Sequence, residues 1–404
     1  MRSIKPEVEA TLTDDRKMAF IAGPRQVGKT TLAQAMLAGG PGDEGYYNWD
    51  IETHKKMILK DPVYFWQAPP DTPPQRIVLD EIHKYPRWKR FLKGLFDANR
   101  RRVEVLVTGS GRLDVYQRGG DSLFGRYHLF HLLPFSVGEL LKRDGPPPSP
   151  DDCLGRFFDS LPSPATDYFE TLWKFGGFPE PFFAADDRKL VQWQNDHRQL
   201  VLREDLRDLT QVRELGLVES MIHLLPERIG SPLSINALRE SLGVNFKTAQ
   251  NWIKSLERLY YLFCLRPYSA RLDRALRREE KVYFFDWSVL EDPSKRFENM
   301  MAVHLLKACL IWTDAGYGQF NLHYVRDKEK REVDFVITSK NRPYLLVEAK
   351  LSETESDRSL LYFLERLKPQ KGACQIVRNG EATRLVQRGP LNIASAPRFL
   401  AAFP

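Results

Sequence analysis

One octapeptide, Gly-Pro-Arg-Gln-Val-Gly-Lys-Thr at residues 23–30, constrains this chain more than any other feature. The apolar run Met18–Ala22 before it predicts a short buried strand, and residues 31–37 after it predict a helix. Glycines let backbone N–H groups curl around a phosphate, to which a helix N-terminus adds the positive end of its dipole. Lys29 is placed to reach the β- and γ-phosphates, and the Thr30 hydroxyl is placed to ligate Mg²⁺. The segment therefore predicts a site for a nucleotide with magnesium.

A second apolar segment supplies the acidic half of this site. Residues 76–79 predict a buried strand that ends at Asp80 and Glu81, 50 residues after the loop. An acidic side chain at the tip of such a strand can hold magnesium through water, and Asp80 fits that position. Glu81 is placed to orient and deprotonate the attacking water. A strand ending in Asp-Glu is common by itself, so its meaning here depends on the preceding loop.

Two further residues are candidates for contacts to the γ-phosphate. Ser110, close to Thr108, follows a third predicted strand at residues 103–107, where the alternative role is a strand-end cap. Arg126 is a candidate arginine finger for the nucleotide of a neighbouring subunit, and the alternative is a surface salt bridge. Strands alternating with helical stretches predict a parallel sheet with helices on both faces. The predicted nucleotide-binding residues are Gly23, Pro24, Arg25, Gln26, Val27, Gly28, Lys29, Thr30, Thr31, Asp80 and Ser110.

Together these motifs resemble those of AAA+ ATPases. Four segments carry the resemblance: residues 23–30, 79–81, 108–110 and 124–126. It implies ATP as the nucleotide, Mg²⁺ as its metal, and a homo-oligomer assembled through the AAA+ modules. Three other segments resemble a prokaryotic group in which the ATPase module precedes a C-terminal region: residues 133–136, 139–140 and 176–180.

A second pattern lies at residues 234–265, which predict a helix, a turn, a longer helix and a strand. Ser234 and Asn245 are placed to cap the two helices. This order resembles winged-helix DNA binders. Residues 245–278 hold eight basic and two acidic residues, nearly the whole chain's net charge of +7. We therefore predict DNA contacts, and the alternative is a protein-binding module with a solvated charged face. The predicted DNA-contacting residues are Lys247, Lys254, Arg258 and Arg266.

The third pattern joins Glu298, near the start of a strong helix, to two predicted strands. The first strand contains Asp334, and Glu348 and Lys350 share one face of the second. A hairpin would bring these side chains together, where three carboxylates can hold Mg²⁺ or Mn²⁺ and Lys350 can stabilise phosphoryl charge. The order resembles the PD-(D/E)xK nuclease superfamily. The alternatives are a solvated strand end or a catalytically silent copy of that fold.

Composition and residue spacing exclude several classes of protein. Of 404 residues, 42% are hydrophobic and 28% are charged, which excludes a disordered or fibrous chain. The four cysteines lack the spacing of a zinc site or disulfide framework. The longest apolar stretch, Met300 to Trp312, is too short to span a bilayer, and the N-terminus lacks a signal-peptide pattern. We expect a cytoplasmic protein without a membrane partner.

The predicted architecture is a multidomain α/β protein. Residues 1–215 are expected to form an AAA+ P-loop NTPase sheet with a helical lid, residues 216–270 a winged-helix-like segment, and residues 271–404 a restriction-endonuclease-like α/β domain. The favoured function is ATP-dependent DNA processing with metal-dependent phosphodiester cleavage by Glu298, Asp334, Glu348 and Lys350. Two rivals stay open: a non-cleaving, ATP-switched DNA-binding or signalling ATPase, and a regulatory protein whose winged helix binds protein partners.

Overall fold

The computed structural model describes nine stretches of the chain, and these form two compact units, residues 1–133 and 134–404. The described stretches are residues 2–37, 45–66, 74–109, 123–141, 145–206, 215–269, 279–352, 355–381 and 385–404.

The first unit is built on a five-stranded parallel sheet in the order β2-β3-β4-β1-β5. Its strands are β1 (Met18–Ala22), β2 (Tyr46–Asn48), β3 (Gln75–Asp80), β4 (Val103–Thr108) and β5 (Tyr127–His131). Its helices are α1 (Lys5–Thr13), α2 (Lys29–Gln34), α3 (Glu52–Lys60) and α4 (Trp88–Asn99). Every residue of β1 is buried, as expected for a central parallel strand covered on both faces. The predicted parallel sheet is thus confirmed.

The second unit begins with a run of helices. They are α5 (Val137–Leu140), α6 (Pro150–Arg156), α7 (Ala165–Phe175), α8 (Pro179–Ala184), α9 (Asp187–Leu200) and α10 (Leu215–Leu224). A helix-turn-helix follows, formed by α11 (Ile235–Leu242) and α12 (Phe246–Arg258), and the predicted caps are present. Ser234 accepts a hydrogen bond from the Ala237 N–H, and Asn245 accepts one from the Thr248 N–H. Strands β6 (Leu262–Leu265) and β7 (Lys281–Phe284) then pair as an antiparallel ribbon.

The rest of the second unit is a six-stranded mixed sheet in the order β12-β13-β11-β10-β9-β8. Its strands are β8 (Phe320–Arg326), β9 (Glu332–Ser339), β10 (Arg342–Lys350), β11 (Ala373–Val377), β12 (Leu385–Arg388) and β13 (Leu391–Ser395). The accompanying helices are α13 (Pro293–Asp314), α14 (Arg358–Leu367) and α15 (Ala396–Ala402). Strands β8, β9 and β10 are antiparallel, whereas β10, β11 and β13 are parallel.

The predicted lid helices fold with the C-terminal part of the chain. Buried Lys307 on α13 lies 2.7 Å from Glu139 on α5. The Trp287 indole N–H donates to the Leu172 carbonyl at 2.7 Å. A Cβ at Gly138 would lie 1.7 Å from the Phe403 carbonyl oxygen, so only glycine fits there. These long-range contacts place the division between compact units at residue 133, not at the predicted 215. The predicted boundary at 270 lies outside the described residues.

Within the described part of the chain, we find no helix that combines the length and apolarity needed to cross a bilayer.

Candidate nucleotide site and acidic cluster

The loop after β1 requires glycine at both ends. Gly23 has φ 155°, and a Cβ there would lie 2.0 Å from the Leu132 carbonyl oxygen. Gly28, the residue directly before α2, has φ 97°, a left-handed conformation that side chains disfavour. The two glycines of the octapeptide are therefore backbone requirements of the turn that precedes a helix N-terminus.

Lys29 is folded back onto this loop. Its buried ammonium donates to the carbonyl oxygens of Gly23 at 3.0 Å and Pro24 at 2.7 Å. Phosphate oxygens are acceptors of the same kind, so a bound nucleotide can replace a carbonyl as the lysine's partner. The lysine is thus held next to the predicted phosphate position.

Asp80, at the end of β3, is the centre of a buried hydrogen-bond network. Thr30 donates to one carboxylate oxygen at 2.7 Å, and Tyr46 donates to the same oxygen at 2.8 Å. Thr108, at the end of β4, donates to the other oxygen at 2.5 Å. Thr30 and Asp80, the two predicted magnesium-site residues, are therefore in direct contact. These are oxygen donors of the kind that Mg²⁺ prefers, so the residues fit the metal.

Tyr46 is a part of this site that the sequence analysis missed. Burial, and next the charge of Asp80, raise the pKa of Tyr46, so the phenol stays a hydrogen-bond donor. No local motif marks it, because it reaches Asp80 only through the pairing of β2 with β3.

Glu81 leaves the strand in a left-handed conformation, with φ 56°. Such conformations are uncommon outside glycine and often occur at functional sites. Burial raises the pKa of the Glu81 carboxyl, against the opposing charge of Lys84. Lys84 Nζ lies 3.4 Å from this carboxylate, and the side chain is 23% exposed. A carboxylate with a raised pKa that still reaches solvent suits a general base.

Ser110 and Arg126 are the other two residues of this unit that were predicted to contact the γ-phosphate. Ser110 lies outside the described residues. Arg126 forms a two-point ion pair with Asp97, with Nε–Oδ1 at 2.7 Å and Nη2–Oδ2 at 3.0 Å. The Arg126 carbonyl accepts from the Met18 N–H at the start of β1, whereas the phosphate loop follows the other end of that strand. Five extended residues span about 16 Å. Arg126 is therefore remote from the loop of its own subunit.

In the second unit, the strand pair β9–β10 brings the predicted Asp334, Glu348 and Lys350 together. The Asp334 N–H donates to the Glu348 carboxylate at 3.1 Å, and the Ala349 N–H donates to the Asp334 carboxylate at 3.1 Å. Lys350 Nζ lies 3.0 Å from Glu348 and 3.2 Å from Asp357. The hairpin expected from the sequence thus forms and places the three side chains on one face.

Glu298 joins them through a residue that the sequence analysis missed. Lys281, on β7, is fully buried, and its Nζ lies 3.1 Å from Glu298 and 2.6 Å from Glu332. The same ammonium is 3.8 Å from Asp334. Burial alone lowers the pKa of Lys281, but the charges of Glu298, Asp334 and Glu332 outweigh burial and raise it. In the local sequence, Lys281 is distinguished only by its place at the start of an apolar run.

The negative charges of the carboxylates in this cluster repel one another. Burial, followed by the charge of Asp334, raises the pKa of Glu298 to about 7 and that of Glu348 to about 9. In the described stretches, no group of three or more His, Cys, Asp or Glu side chains is arranged to hold a metal ion. The oxygen ligands are of the right type for Mg²⁺, yet the Lys281 ammonium lies among them. As folded, the cluster does not fit a metal.

Gln375 is a further buried group near this cluster. It lies on β11, where its Cα pairs in register with that of Glu348. Its side chain accepts from the Asp357 N–H at 2.8 Å and donates to the Glu355 carbonyl at 2.6 Å. Gln375 therefore holds the backbone beside Asp357, which is an ion-pair partner of Lys350.

The predicted DNA-contacting residues divide into two groups. Lys247, Lys254 and Arg258 are exposed on α12, at spacings that place them on one face of the helix. We find no ion pair for these three among the described residues. Arg266 lies on the chain after β6 and pairs with Glu280 at 3.0 Å. The other four basic residues of the segment, Arg271, Arg274, Arg277 and Arg278, lie outside the described ranges.

Family models match separate segments of the chain. Residues 15–141 match a model described as an AAA domain, which confirms the predicted AAA-type ATPase domain. Residues 166–295 match a domain of unknown function, DUF8612, and residues 294–395 match another, DUF4143. The winged-helix and nuclease resemblances stay predictions.

The relatives are distant. The uncharacterized protein MJ1544 of Methanocaldococcus jannaschii is 23% identical over 310 residues, which cover 74% of this chain and 66% of that protein. The uncharacterized protein Rv2008c of Mycobacterium tuberculosis is 24% identical over 334 residues, covering 81% and 69%. A solved structure of the Aeropyrum pernix Orc1 protein in complex with DNA is 14% identical and covers 75% of this chain and 93% of its own, with a TM-score of 0.33. The chain thus spans about two thirds of the length of these two curated relatives.

Proposed function

We propose that this protein, whose residues 15–141 form an AAA-type ATPase domain, hydrolyses ATP and uses its nucleotide state to control DNA binding. The observation that carries the proposal is the contact of Thr30 with Asp80, with Glu81 directly beyond it. Magnesium bound with ATP would neutralise phosphate charge there. Lys29 and the loop N–H groups bind the phosphates, Thr30 and Asp80 orient the metal, and Glu81 takes the proton of the attacking water.

The DNA-contacting surface in this proposal is the exposed face of α12. It supplies cations that neutralise phosphates and release condensed counterions. Such contacts are independent of sequence, and they lie beside the ribbon β6–β7 that would track the DNA backbone. The rival is a protein-binding helix-turn-helix, which would lack steep salt dependence.

Changing Lys247, Lys254 and Arg258 together to Glu is expected to weaken DNA binding at least about tenfold at 0.1 M salt, equally for unrelated sequences. The slope of log affinity against log salt should fall by about 3, because up to three phosphate contacts are lost. Fluorescence anisotropy over a salt series measures both quantities. The control changes three other exposed basic residues, Arg188, Lys189 and Lys368, to Glu, with the same change of net charge. Equal losses in both triple variants would place the DNA surface elsewhere.

A second candidate function is metal-dependent cleavage of the bound DNA. The specific observation in its favour is that Asp334, Glu348 and Lys350 converge on the paired strands β9 and β10. A divalent ion could bind here only after Lys281 has moved away from Glu298 and Asp334, and it would then supply an activated water and neutralise charge on the phosphodiester. Asp334 and Glu348 would hold it, Glu298 would complete the set from α13, and Lys350 would stabilise the developing phosphoryl charge.

Asp334→Ala is expected to abolish cutting while DNA binding and ATP hydrolysis persist, because those activities belong to other residues. The assay compares wild type with the variant, purified identically, on linear, supercoiled and branched DNA with ATP and Mn²⁺. Ca²⁺ should not replace Mg²⁺ or Mn²⁺, because it coordinates with longer and looser geometry. Equal cutting by both proteins would place the activity elsewhere, and no cutting by wild type on any substrate would favour the non-cleaving ATPase.

A further inference from the structure

Lys281 lies between two of the predicted metal ligands, Glu298 and Asp334. Its ammonium contacts Glu298 from α13 and Glu332 and Asp334 from β9, at 3.1, 2.6 and 3.8 Å. The lysine side chain has no exposed surface, whereas each of the three acids retains some. One cation of the chain itself therefore offsets part of the repulsion among three acids.

The Glu298 carboxylate has further close neighbours besides Lys281. The carboxylate oxygen that faces Lys281 accepts a second hydrogen bond from the Tyr283 hydroxyl at 2.6 Å. The other oxygen lies against Gly230, where an added Cβ would be 2.6 Å away. The Glu298 carboxylate therefore lies between β7 and the Gly230 turn.

A metal ion and this ammonium would compete for the same space between the carboxylates. Mg²⁺ requires its ligands at about 2.0–2.1 Å, so it would have to lie between the carboxylates where Lys281 Nζ already lies. Two adjacent cations would also repel each other strongly in a buried site. Metal entry thus requires that the lysine leave or lose its charge.

We propose that Lys281 is the resident cation of this acidic cluster and excludes divalent metal ions from it in the DNA-free protein. The inference rests on the proposed use of Glu298 and Asp334 as metal ligands. Lys281 belongs to β7, whose partner β6 follows the proposed DNA-contacting helix α12. The chain leading into the helix-turn-helix also bonds to this strand, because the Leu233 N–H donates to the Glu280 carbonyl. The chain segments on both sides of the helix-turn-helix therefore contact the strand that carries Lys281.

The test is Mn²⁺ uptake by the full chain without DNA or nucleotide, followed by electron paramagnetic resonance of the free ion. Wild type should show no uptake that depends on Asp334. Lys281→Met, which keeps the length of the side chain but removes its charge, should take up one Mn²⁺ with at least tenfold higher affinity. Adding Asp334→Asn to Lys281→Met should abolish that uptake. Mn²⁺ at 100 times its Kd should also raise the Tm of Lys281→Met by about 3–5 °C.

A matched control is Lys307→Met, which removes another buried, ion-paired lysine of the same unit. It should lose stability without gaining Mn²⁺ uptake. If Lys281→Met does not fold, Lys281→Met with Glu332→Gln relieves the repulsion and keeps Glu298 and Asp334, and the same criteria apply.

Either of two results would overturn the inference. One is Mn²⁺ uptake by DNA-free wild type that Asp334→Asn abolishes. The other is a folded Lys281 variant whose uptake is no greater than that of wild type. Failure of the cleavage proposal is separate, because it would appear as an absence of cutting while the Lys281 variant still gains metal.

Discussion

Replacing Glu81 by Gln is expected to leave ATP binding close to that of wild type and to slow hydrolysis by about 10²–10⁴-fold. The amide keeps the size of the side chain and its place after β3, but it cannot accept the proton of the attacking water. The raised pKa of the Glu81 carboxyl and its left-handed backbone indicate a position shaped for chemistry. Steady-state hydrolysis and equilibrium binding of a fluorescent ATP analogue measure the two effects separately.

Two controls make this result specific. Glu52→Gln changes an exposed acid of the same unit and should leave the rate unchanged. Lys29→Ala should lose turnover because the γ-phosphate loses its lysine partner, while the protein still unfolds at about the wild-type temperature. Hydrolysis by Glu81→Gln at the wild-type rate would remove the role assigned to Glu81.

Arg126→Ala is expected to reduce ATP hydrolysis by about 10³-fold or more, because an arginine finger neutralises transition-state charge. Since Arg126 is remote from the loop of its own subunit, such a contribution has to come from a neighbouring subunit. Mixing Arg126→Ala chains with Lys29→Ala chains should then restore part of the activity. Each mixed interface can pair an intact loop with an intact arginine, and hydrolysis is measured across mixing ratios.

The competing explanation is that Arg126 serves only its ion pair with Asp97. Asp97→Ala distinguishes the two explanations, because it removes the ion pair and leaves Arg126 in place. A finger role predicts near-normal hydrolysis in Asp97→Ala, whereas a purely structural salt bridge predicts equal losses in both variants. Absence of recovery at every mixing ratio would exclude action between subunits.

Local patterns predicted much of the first unit correctly. The strand Met18–Ala22, the loop of residues 23–30 and the strand ending at Asp80 lie where the sequence placed them. The reason is that each signal is contained in a few consecutive residues: a buried parallel strand is continuously apolar, and the loop needs glycine at fixed positions. The helix after the loop begins at Lys29, two residues earlier than predicted, because Gly28 already turns the chain into it.

Local sequence patterns predicted only part of the acidic cluster. The spacing of Glu348 and Lys350 on one strand placed both on one face, and the hairpin brought Asp334 beside them. Lys281 is 53 residues before Asp334 in the chain, and the residues next to it in the sequence do not indicate an ion pair. Its role depends on the ribbon β6–β7 meeting α13 and β9, which is a property of packing alone.

By itself, then, the sequence determined the phosphate loop, the acidic strand end, the capped helix-turn-helix and the alternating strands and helices, since these arise from neighbouring residues. Only the tertiary structure decided that the helices after residue 133 pack with the C-terminal unit, that Tyr46 joins Asp80, and that a lysine fills the acidic cluster. Each of these depends on a pair of residues far apart in the chain, such as Glu139 and Lys307. Burial makes such pairs consequential, because a charge removed from water has to find its partner wherever the fold places it.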